Sequence, residues 1–201
     1  MKYKLALIAL FLAFSQINAQ KITLSKLKTF QIESFKKSAL LASNFNDTQS
    51  KIQSLLSIIS LEGDKSTYKD SLAITYLYNK NYISAHLIAK ELLIRKPNSI
   101  NLLEINAISL LRLNATKEAI LAYEKLFSLT NNMSHGYQLA FLQYNIKRFE
   151  EAKTTIAKTL NCDVLKNVYL NFSLNSKQNQ DVPLKAAAHN LTGLISFELK
   201  E

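Results

Sequence analysis

The side chains that could perform acid–base, nucleophilic or metal chemistry are few and widely spaced in this sequence. The three histidines, His86, His135 and His189, have neither the i, i+4 spacing nor the companion cysteines and carboxylates of a metal site. Cys162 is the only cysteine, so it can form no intrachain disulfide, and we expect a buried structural thiol. No Gly-x-Ser-x-Gly, phosphate-binding loop or His-Glu-x-x-His motif occurs. The sequence therefore predicts a protein that is not an enzyme and uses no cofactor or metal.

The first nineteen residues have the layout of a secretory signal peptide. Lys2 and Lys4 precede an apolar run from Leu5 to Phe14, and Ala19 is a small residue ahead of an expected cleavage before Gln20. The run has ten residues, about half the ~20 that span a bilayer, so a retained membrane anchor is the less favoured alternative. We therefore expect an exported protein, periplasmic or secreted, with no transmembrane segment after signal removal.

The chain is basic, with a formal net charge of +10, of which Lys2 and Lys4 contribute two. A positive charge attracts nucleic acid, anionic lipid headgroups or acidic glycans. Export makes nucleic acid a poor partner, which leaves a membrane surface or a glycan. The most basic stretch sets six lysines against Glu33 and Asp47: Lys21, Lys26, Lys28, Lys36, Lys37 and Lys51.

Three segments of the chain can be aligned with one another on small residues at Ala85, Ala119 and Ala152. These alanines are 34 and 33 residues apart, and a period near 34 indicates stacked antiparallel helix pairs. The scarcity of turn formers, with three glycines and two prolines, also argues against a β-sandwich or barrel. The expected fold class is all-α.

The repeated residues resemble the tetratricopeptide (TPR) repeat family. That family has a Leu and a small residue in the first helix, a bulky residue one turn later, alanine and an aromatic in the second helix, and often a final proline. Two units fit this pattern well: Leu72-Ala73-Tyr76-Ala85-Leu92-Pro97 and Leu139-Ala140-Phe149-Glu150-Glu151-Ala152. The unit between them departs from the pattern at Asn106 and Asn131. The resemblance implies a right-handed α-solenoid with three repeats over residues 66–162.

The flanking segments are interpreted from their periodicity. Residues 20–63 read as a helix pair that is either an N-terminal cap or a diverged repeat, and its first helix has apolar residues suited to one face: Leu24, Leu27, Phe30, Phe35, Leu41 and Phe45. Residues 168–174 alternate like a strand, and a polar run follows from Asn175 to Asp181. Residues 163–182 are therefore expected to form an extended insertion, either a small hairpin with residues 182–184 or an irregular loop. Residues 183–201 predict a capping helix, which resembles the first helix of a fourth repeat through Ala188, Leu191, Gly193, Leu194 and Phe197.

The resemblance also implies a binding groove lined by the first helix of each pair. Carried onto this sequence, the groove positions give the candidate partner-binding residues Asp70, Tyr78, Glu104, Arg112, Tyr137, Phe141, Tyr144 and Asn145. The aromatic members are the expected hot spots. The alternative is that the last helix and the insertion cover these aromatics, which would make them core. The Lys and Asn clamp that some family members use for a carboxylate is absent, because Asp70, Ile74, Glu104 and Ile108 stand there.

The sequence thus predicts a non-catalytic exported scaffold or adaptor that binds a protein or peptide through its concave face. Two alternatives stay open: a basic surface that binds anionic glycans or lipid headgroups, and a structural subunit of an envelope complex.

Overall fold

A computed structural model describes residues 24–161, 168–173 and 179–201 of the chain. The expected signal peptide and Cys162 lie outside these residues. The chain divides into two compact units, the first ending at Asn79 and the second beginning at Lys80. Among the described residues, no helix is long and apolar enough to span a bilayer.

The described residues of the first unit, 24–79, form three helices: α1 over residues 24–44, α2 (Thr48–Glu62) and α3 (Tyr68–Tyr78). Local signals fix the limits of α2. The Asp47 carboxylate accepts a hydrogen bond from the Ser50 amide at 3.0 Å, which caps the first turn. Gly63 follows the helix with φ of +86°, a backbone conformation that glycine adopts without a steric penalty.

The second unit begins with five helices, each packed on the next, and continues through a hairpin to a last helix. The elements are α4 (Tyr82–Arg95), α5 (Ile100–Arg112), α6 (Thr116–Thr130), α7 (Met133–Asn145), α8 (Phe149–Leu160), β1 (Tyr169–Ser173), β2 (Asn179–Pro183) and α9 (Leu184–Leu199). Pro97 and the left-handed Asn131 separate consecutive pairs, as the sequence pattern indicated.

Small residues allow the close packing of these helices. The three alanines that define the period, Ala85, Ala119 and Ala152, are all fully buried. The packing around Gly136 on α7 is closer still. A Cβ at that position would lie 2.8 Å from the Phe127 ring on α6 and would overlap the Thr159 hydroxyl on α8. These contacts hold α7 between its two neighbours with no room for a larger side chain.

The turn inside each helix pair has the same backbone conformation. One residue in each turn has a left-handed φ near +60°, and these residues follow one another at intervals of 34, 34 and 33: Asn46, Lys80, Asn114 and Lys147. An alanine stands seven residues before each of them and is nearly or fully buried: Ala39, Ala73, Ala107 and Ala140. The pair formed by α1 and α2 therefore has the repeat geometry, which favours the diverged-repeat interpretation of residues 20–63.

The extended insertion is a two-stranded antiparallel hairpin. Strand β1 pairs with β2 from Tyr169 opposite Pro183 to Ser173 opposite Asn179. The hairpin leads directly into α9. At this junction the Leu184 amide donates a hydrogen bond to the Val168 carbonyl at 2.9 Å. Of the two alternatives left open by the sequence, the hairpin is the one observed.

Helix α9 packs against α7 and α8 and closes the apolar core of the second unit. Its buried residues join those of the two preceding helices in one cluster: Met133, Tyr137, Ala140, Ala152, Ile156, Leu184, Ala187, Ala188, Leu191 and Ile195. Of the residues that suggested a fourth repeat, Ala188 and Leu191 are buried, whereas Leu194 and Phe197 are exposed.

Candidate functional site

A groove of about 400 Å³ lies over α6, between α5 and α7. Its lining combines apolar side chains with charged and polar ones: Glu104, Ile108, Leu111, Arg112, Tyr123, Leu126, Ser134, His135 and Gln138. Residues three and four apart share a face of a helix, so one row of α5 and one row of α7 form the two walls. Two of the candidate binding residues, Glu104 and Arg112, are thus brought into one groove.

A hydrogen-bonded chain links the two walls at one end of the groove. The Nε2 atom of His135 lies 3.1 Å from Oε1 of Glu104, and its Nδ1 atom lies 2.9 Å from Oγ1 of Thr130. The Thr130 hydroxyl is also 2.8 Å from the Leu126 carbonyl, but it has one hydrogen and can donate to only one acceptor at a time. The side chain of His135 is well covered, at 13% exposure, whereas that of Glu104 is 41% exposed.

The imidazole of His135 favours the neutral form. Burial lowers its pKa below the ordinary histidine value, and this effect outweighs the attraction of the Glu104 carboxylate, which acts in the opposite direction. The neutral ring can donate from Nε2 to Glu104 and accept at Nδ1 from Thr130. One oxygen of the Glu104 carboxylate is therefore held in place at the edge of the groove.

The other charged group of the groove is Arg112, at the C-terminal end of α5. It is exposed and has no ion pair among the described residues. Between Arg112 and Glu104 lies Tyr123, whose pKa burial raises to about 12, so its hydroxyl stays neutral. The groove consequently has an acidic end, a basic end and an apolar part, called the apolar floor, to which Ile108 and Leu111 on α5 and Leu126 on α6 contribute.

The aromatic residues of α7 divide into covered and accessible positions. Tyr137 is buried in the core beneath α9, which raises the pKa of its hydroxyl, and Tyr144 packs on the same core and against Phe149. Phe141 is 40% exposed and stacks on Tyr137 with ring centroids 6.2 Å apart. Asn145 is exposed at the end of the helix. Phe141 and Asn145 are therefore accessible, while Tyr137 is buried and Tyr144 is partly buried.

The remaining candidates, Asp70 and Tyr78, lie in the first unit, on α3. Asp70 is half-buried in the first turn of that helix, where a carboxylate is favourable beside the helix N-terminus. Tyr78 is the last residue of α3 and is 80% exposed. Both remain predictions as partner-binding residues.

A second groove of about 620 Å³ lies on α6, α7 and α8. Its lining is mostly polar: Glu124, Phe127, Ser128, Asn131, Leu139, Gln143, Thr155, Lys158 and Asn161. Gln143 is 4% exposed, and its Oε1 atom has no hydrogen-bond partner among the described residues. The second groove can therefore accept a hydrogen bond at Gln143, but its mostly polar lining offers little apolar surface to a ligand side chain.

Sequence reasoning did not identify His135 as part of the acidic end, because its contact with Glu104 joins residues 31 positions apart. The spacing of Glu104 and His135 could have indicated their contact, since residues about one repeat period apart lie on neighbouring helix pairs. His86 makes a similar contact between α4 and α5, with Nδ1 2.7 Å from Oδ1 of Asn106. The described part of the chain contains no group of three or more metal-ligating side chains.

Several solved structures resemble this chain. A crystal structure of a MamA protein has a TM-score of 0.65 at 13% identity, over 85% of this chain and 83% of that one. MamA 41-end from Desulfovibrio magneticus RS-1 has a TM-score of 0.64 at 12% identity, over 85% and 86% of the two chains. A tetratricopeptide repeat protein from Parabacteroides merdae has a TM-score of 0.66 at 15% identity, over 85% of this chain and 62% of that one. No protein-family model and no curated protein matches the sequence.

These likenesses confirm the predicted fold class: an all-α, TPR-like solenoid of helix pairs with a short extended insertion before the last helix. At such low identities they establish the fold alone.

Proposed function

We propose that this protein is a non-catalytic, exported adaptor that binds a protein or peptide in the groove between α5 and α7. The observation that carries the proposal is the groove itself, in which an apolar floor lies between an accessible carboxylate at Glu104 and an accessible guanidinium at Arg112. Such an arrangement offers an apolar anchor and two orienting charges, which is what recognition of a polypeptide segment requires. The fold supports the same general role.

The dimensions of the groove suit a short stretch of extended chain. Glu104 and Arg112 are eight residues apart on one helix, so their Cα atoms are separated by about 12 Å along its axis. An extended chain advances about 3.3 Å per residue, so roughly four residues of a ligand fit between the two charges. Phe141 and Asn145 lie on the same face of α7 as Ser134 and Gln138, and they prolong the contact surface.

Export is proposed from the sequence, on the basic start at Lys2 and Lys4, the apolar run and the small residue Ala19. N-terminal sequencing of the protein recovered from culture medium or periplasm tests it. A mature chain that begins at Gln20 supports export. Recovery of the uncleaved chain from the cytoplasm alone contradicts it.

Position-dependent crosslinking tests the groove. A photo-reactive phenylalanine analogue at Ile108, in the groove, is compared with the same analogue at Leu121, which is exposed on the outer side of α6. We expect a discrete crosslinked protein in the native extract from position 108 and none from position 121. Equal crosslinking at both positions would show that the groove is not the binding surface.

A matched pair of variants then measures the affinity for the partner so identified. Ile108→Lys places a charge on the apolar floor and should weaken binding by tenfold or more, about 1.4 kcal/mol. Leu121→Lys should leave the affinity unchanged within about twofold, as expected for a residue outside the contact. Circular dichroism of both variants checks that the helices are retained. If Ile108→Lys binds like the wild type, the proposed site is wrong.

A further inference from the structure

Helix α1 has two apolar rows on different faces, of which only one is packed. The inner row is made of Ile32, Phe35, Ala39 and Ala42, which are buried or half-buried. The outer row consists of large side chains three, eleven and four positions apart, and all are more than half exposed: Leu27 at 51%, Phe30 at 71%, Leu41 at 56% and Phe45 at 78%. The expectation that the apolar residues of this segment share one face is therefore wrong, because Phe35 lies in the inner row. Leu27, Phe30, Leu41 and Phe45, the last of which directly follows the helix, are called the α1 outer row.

The later helices bury the position that Leu41 occupies. It recurs one, two and three periods further on, at Thr75 on α3, Ser109 on α5 and Leu142 on α7. Those three residues are 3%, 0% and 4% exposed. The position of Phe45, by contrast, recurs at Asn79, Leu113 and Ile146, which are exposed or half-buried. Leu41 thus stands where this fold buries a side chain elsewhere, and the large apolar side chains of the α1 outer row favour burial against a partner.

The charges around the row determine the kind of partner. Residues 24–44 contain four lysines and one glutamate, and that glutamate, Glu33, is already bonded to Lys36 at 2.8 Å. Lys26, Lys28 and Lys37 are exposed and have no ion pair among the described residues. Lys26 and Lys37 stand one helical turn before Phe30 and Leu41, so they border the row.

This combination disfavours a second copy of the chain and favours an anionic surface. Two copies joined through the α1 outer row would bring unpaired lysines of like charge together without compensating carboxylates. An anionic bilayer instead takes up leucine and phenylalanine side chains at the headgroup boundary and pairs with lysines that reach its phosphates. We propose that α1 attaches the protein to the surface of an anionic lipid bilayer through the α1 outer row and its flanking lysines.

Vesicle co-sedimentation of the proposed mature form, which begins at Gln20, tests the proposal. The probes are vesicles of equal parts phosphatidylglycerol and phosphatidylcholine, compared with vesicles of phosphatidylcholine alone. We expect binding to the anionic vesicles that is much stronger than to the neutral ones and that falls as salt rises from about 0.05 M to about 0.5 M, because exposed charges are then screened within a few ångströms. The apolar run of residues 5–14 is absent from this form, so vesicle binding and the differences between variants do not depend on it.

Two pairs of variants separate the contributions. Lys26→Gln with Lys37→Gln should weaken anionic-vesicle binding roughly 25-fold, about fivefold for each lysine, whereas Lys117→Gln with Lys125→Gln on α6 should have little effect. Phe30→Ser with Phe45→Ser should release the protein from the vesicles. The matched control is Ile94→Ser with Leu121→Ser, which removes apolar side chains that are 81% and 66% exposed on other helices.

Each alternative occupant gives a distinct result that would overturn the proposal. If the phenylalanine variants bind as well as the wild type while the lysine variants do not, the surface recognises a soluble polyanion by charge alone. If vesicles are not bound but sedimentation equilibrium shows a dimer that Phe30→Ser with Phe45→Ser abolishes, the α1 outer row joins two copies. Equal binding to neutral vesicles would show that the lysines have no role.

Discussion

Replacing Gly136 with alanine should destabilise the second unit, although alanine is the better helix former. Gly136 lies in α7, where it faces both α6 and α8. The added Cβ would lie 2.8 and 2.9 Å from two carbons of the Phe127 ring and would overlap the Thr159 hydroxyl oxygen. Ordinary carbon–carbon contacts are about 3.5 Å or longer, so one of the three helices must move by about 0.7 Å or more.

The expected magnitude follows from two opposing contributions. Neither neighbour can yield easily, because Thr159 is fully buried with its hydroxyl donating to the Thr155 carbonyl at 2.8 Å, and Phe127 packs on both core clusters. Overpacking of this kind costs about 1–3 kcal/mol. The gain in helix propensity offsets at most about 1 kcal/mol. We therefore expect a net loss of about 1–2 kcal/mol in the free energy of unfolding, which lowers Tm by roughly 2–8 °C in a chain of this size.

Gly193 supplies a matched control for this measurement. It lies inside α9, and a Cβ there would meet nothing within 4 Å. Gly193→Ala should consequently stabilise the protein, by up to about 1 kcal/mol. Urea denaturation followed by circular dichroism at the helix band compares both variants with the wild type. Adding Thr159→Ala to Gly136→Ala removes one of the two clashes and should recover part of the loss.

The two glycines are thus expected to shift stability in opposite directions for one chemical change. Should Gly136→Ala prove as stable as Gly193→Ala, the close approach of α7 to α6 and α8 would be refuted. Unfolding in two steps would not weaken the comparison, because Gly136 and Gly193 both belong to the second unit.

Three further predictions concern the same unit. Ala119→Leu should lower the free energy of unfolding by about 1–3 kcal/mol, because Ala119 is fully buried. Ala157→Leu, on the exposed side of α8, should change it by less than about 0.5 kcal/mol. The urea midpoints of both variants test this difference. Asn132→Ala should cost about 1 kcal/mol in the same assay, since the Asn132 side chain accepts a hydrogen bond from the Ser134 amide at 2.8 Å at the start of α7, and an unchanged midpoint would contradict this capping role. Burial lowers the pKa of His135, so as pH falls below about 6.5 the unfolded chain binds a proton that the folded chain does not. The free energy of unfolding should therefore decrease from pH 7 toward pH 5, and His135→Gln should reduce that decrease. The same dependence of stability on pH in both proteins would contradict this prediction.

The limits of the helices were largely predictable because local signals determine them. Gly63, Pro97 and the left-handed Asn131 each end a helix or follow its end, and each is recognisable as a residue type. The last helix likewise begins directly after Pro183, as the proline indicated. The hairpin between α8 and α9 was one of two open alternatives, because β2 includes polar residues that sequence periodicity assigns equally well to a loop.

The candidate site was less predictable because burial depends on which elements come together. Tyr137 and Phe141 are one turn apart on α7 and look equivalent in the sequence, yet α9 covers the first and leaves the second 40% exposed. The contact between Glu104 and His135 depends on how one helix pair is placed on the next. The α1 outer row was misjudged for the same reason, since apolar spacing predicts a face but not its neighbour.

The left-handed residues in the intra-pair turns have a consequence for how this chain can be rebuilt. Asn46, Lys80, Asn114 and Lys147 impose one joint geometry although their side chains differ. A segment that runs from one such turn to the next contains a complete repeat, so its duplication or exchange at these turns should preserve the connection between helices. Evolution and protein engineering alike can then lengthen or recombine the array without redesigning its loops.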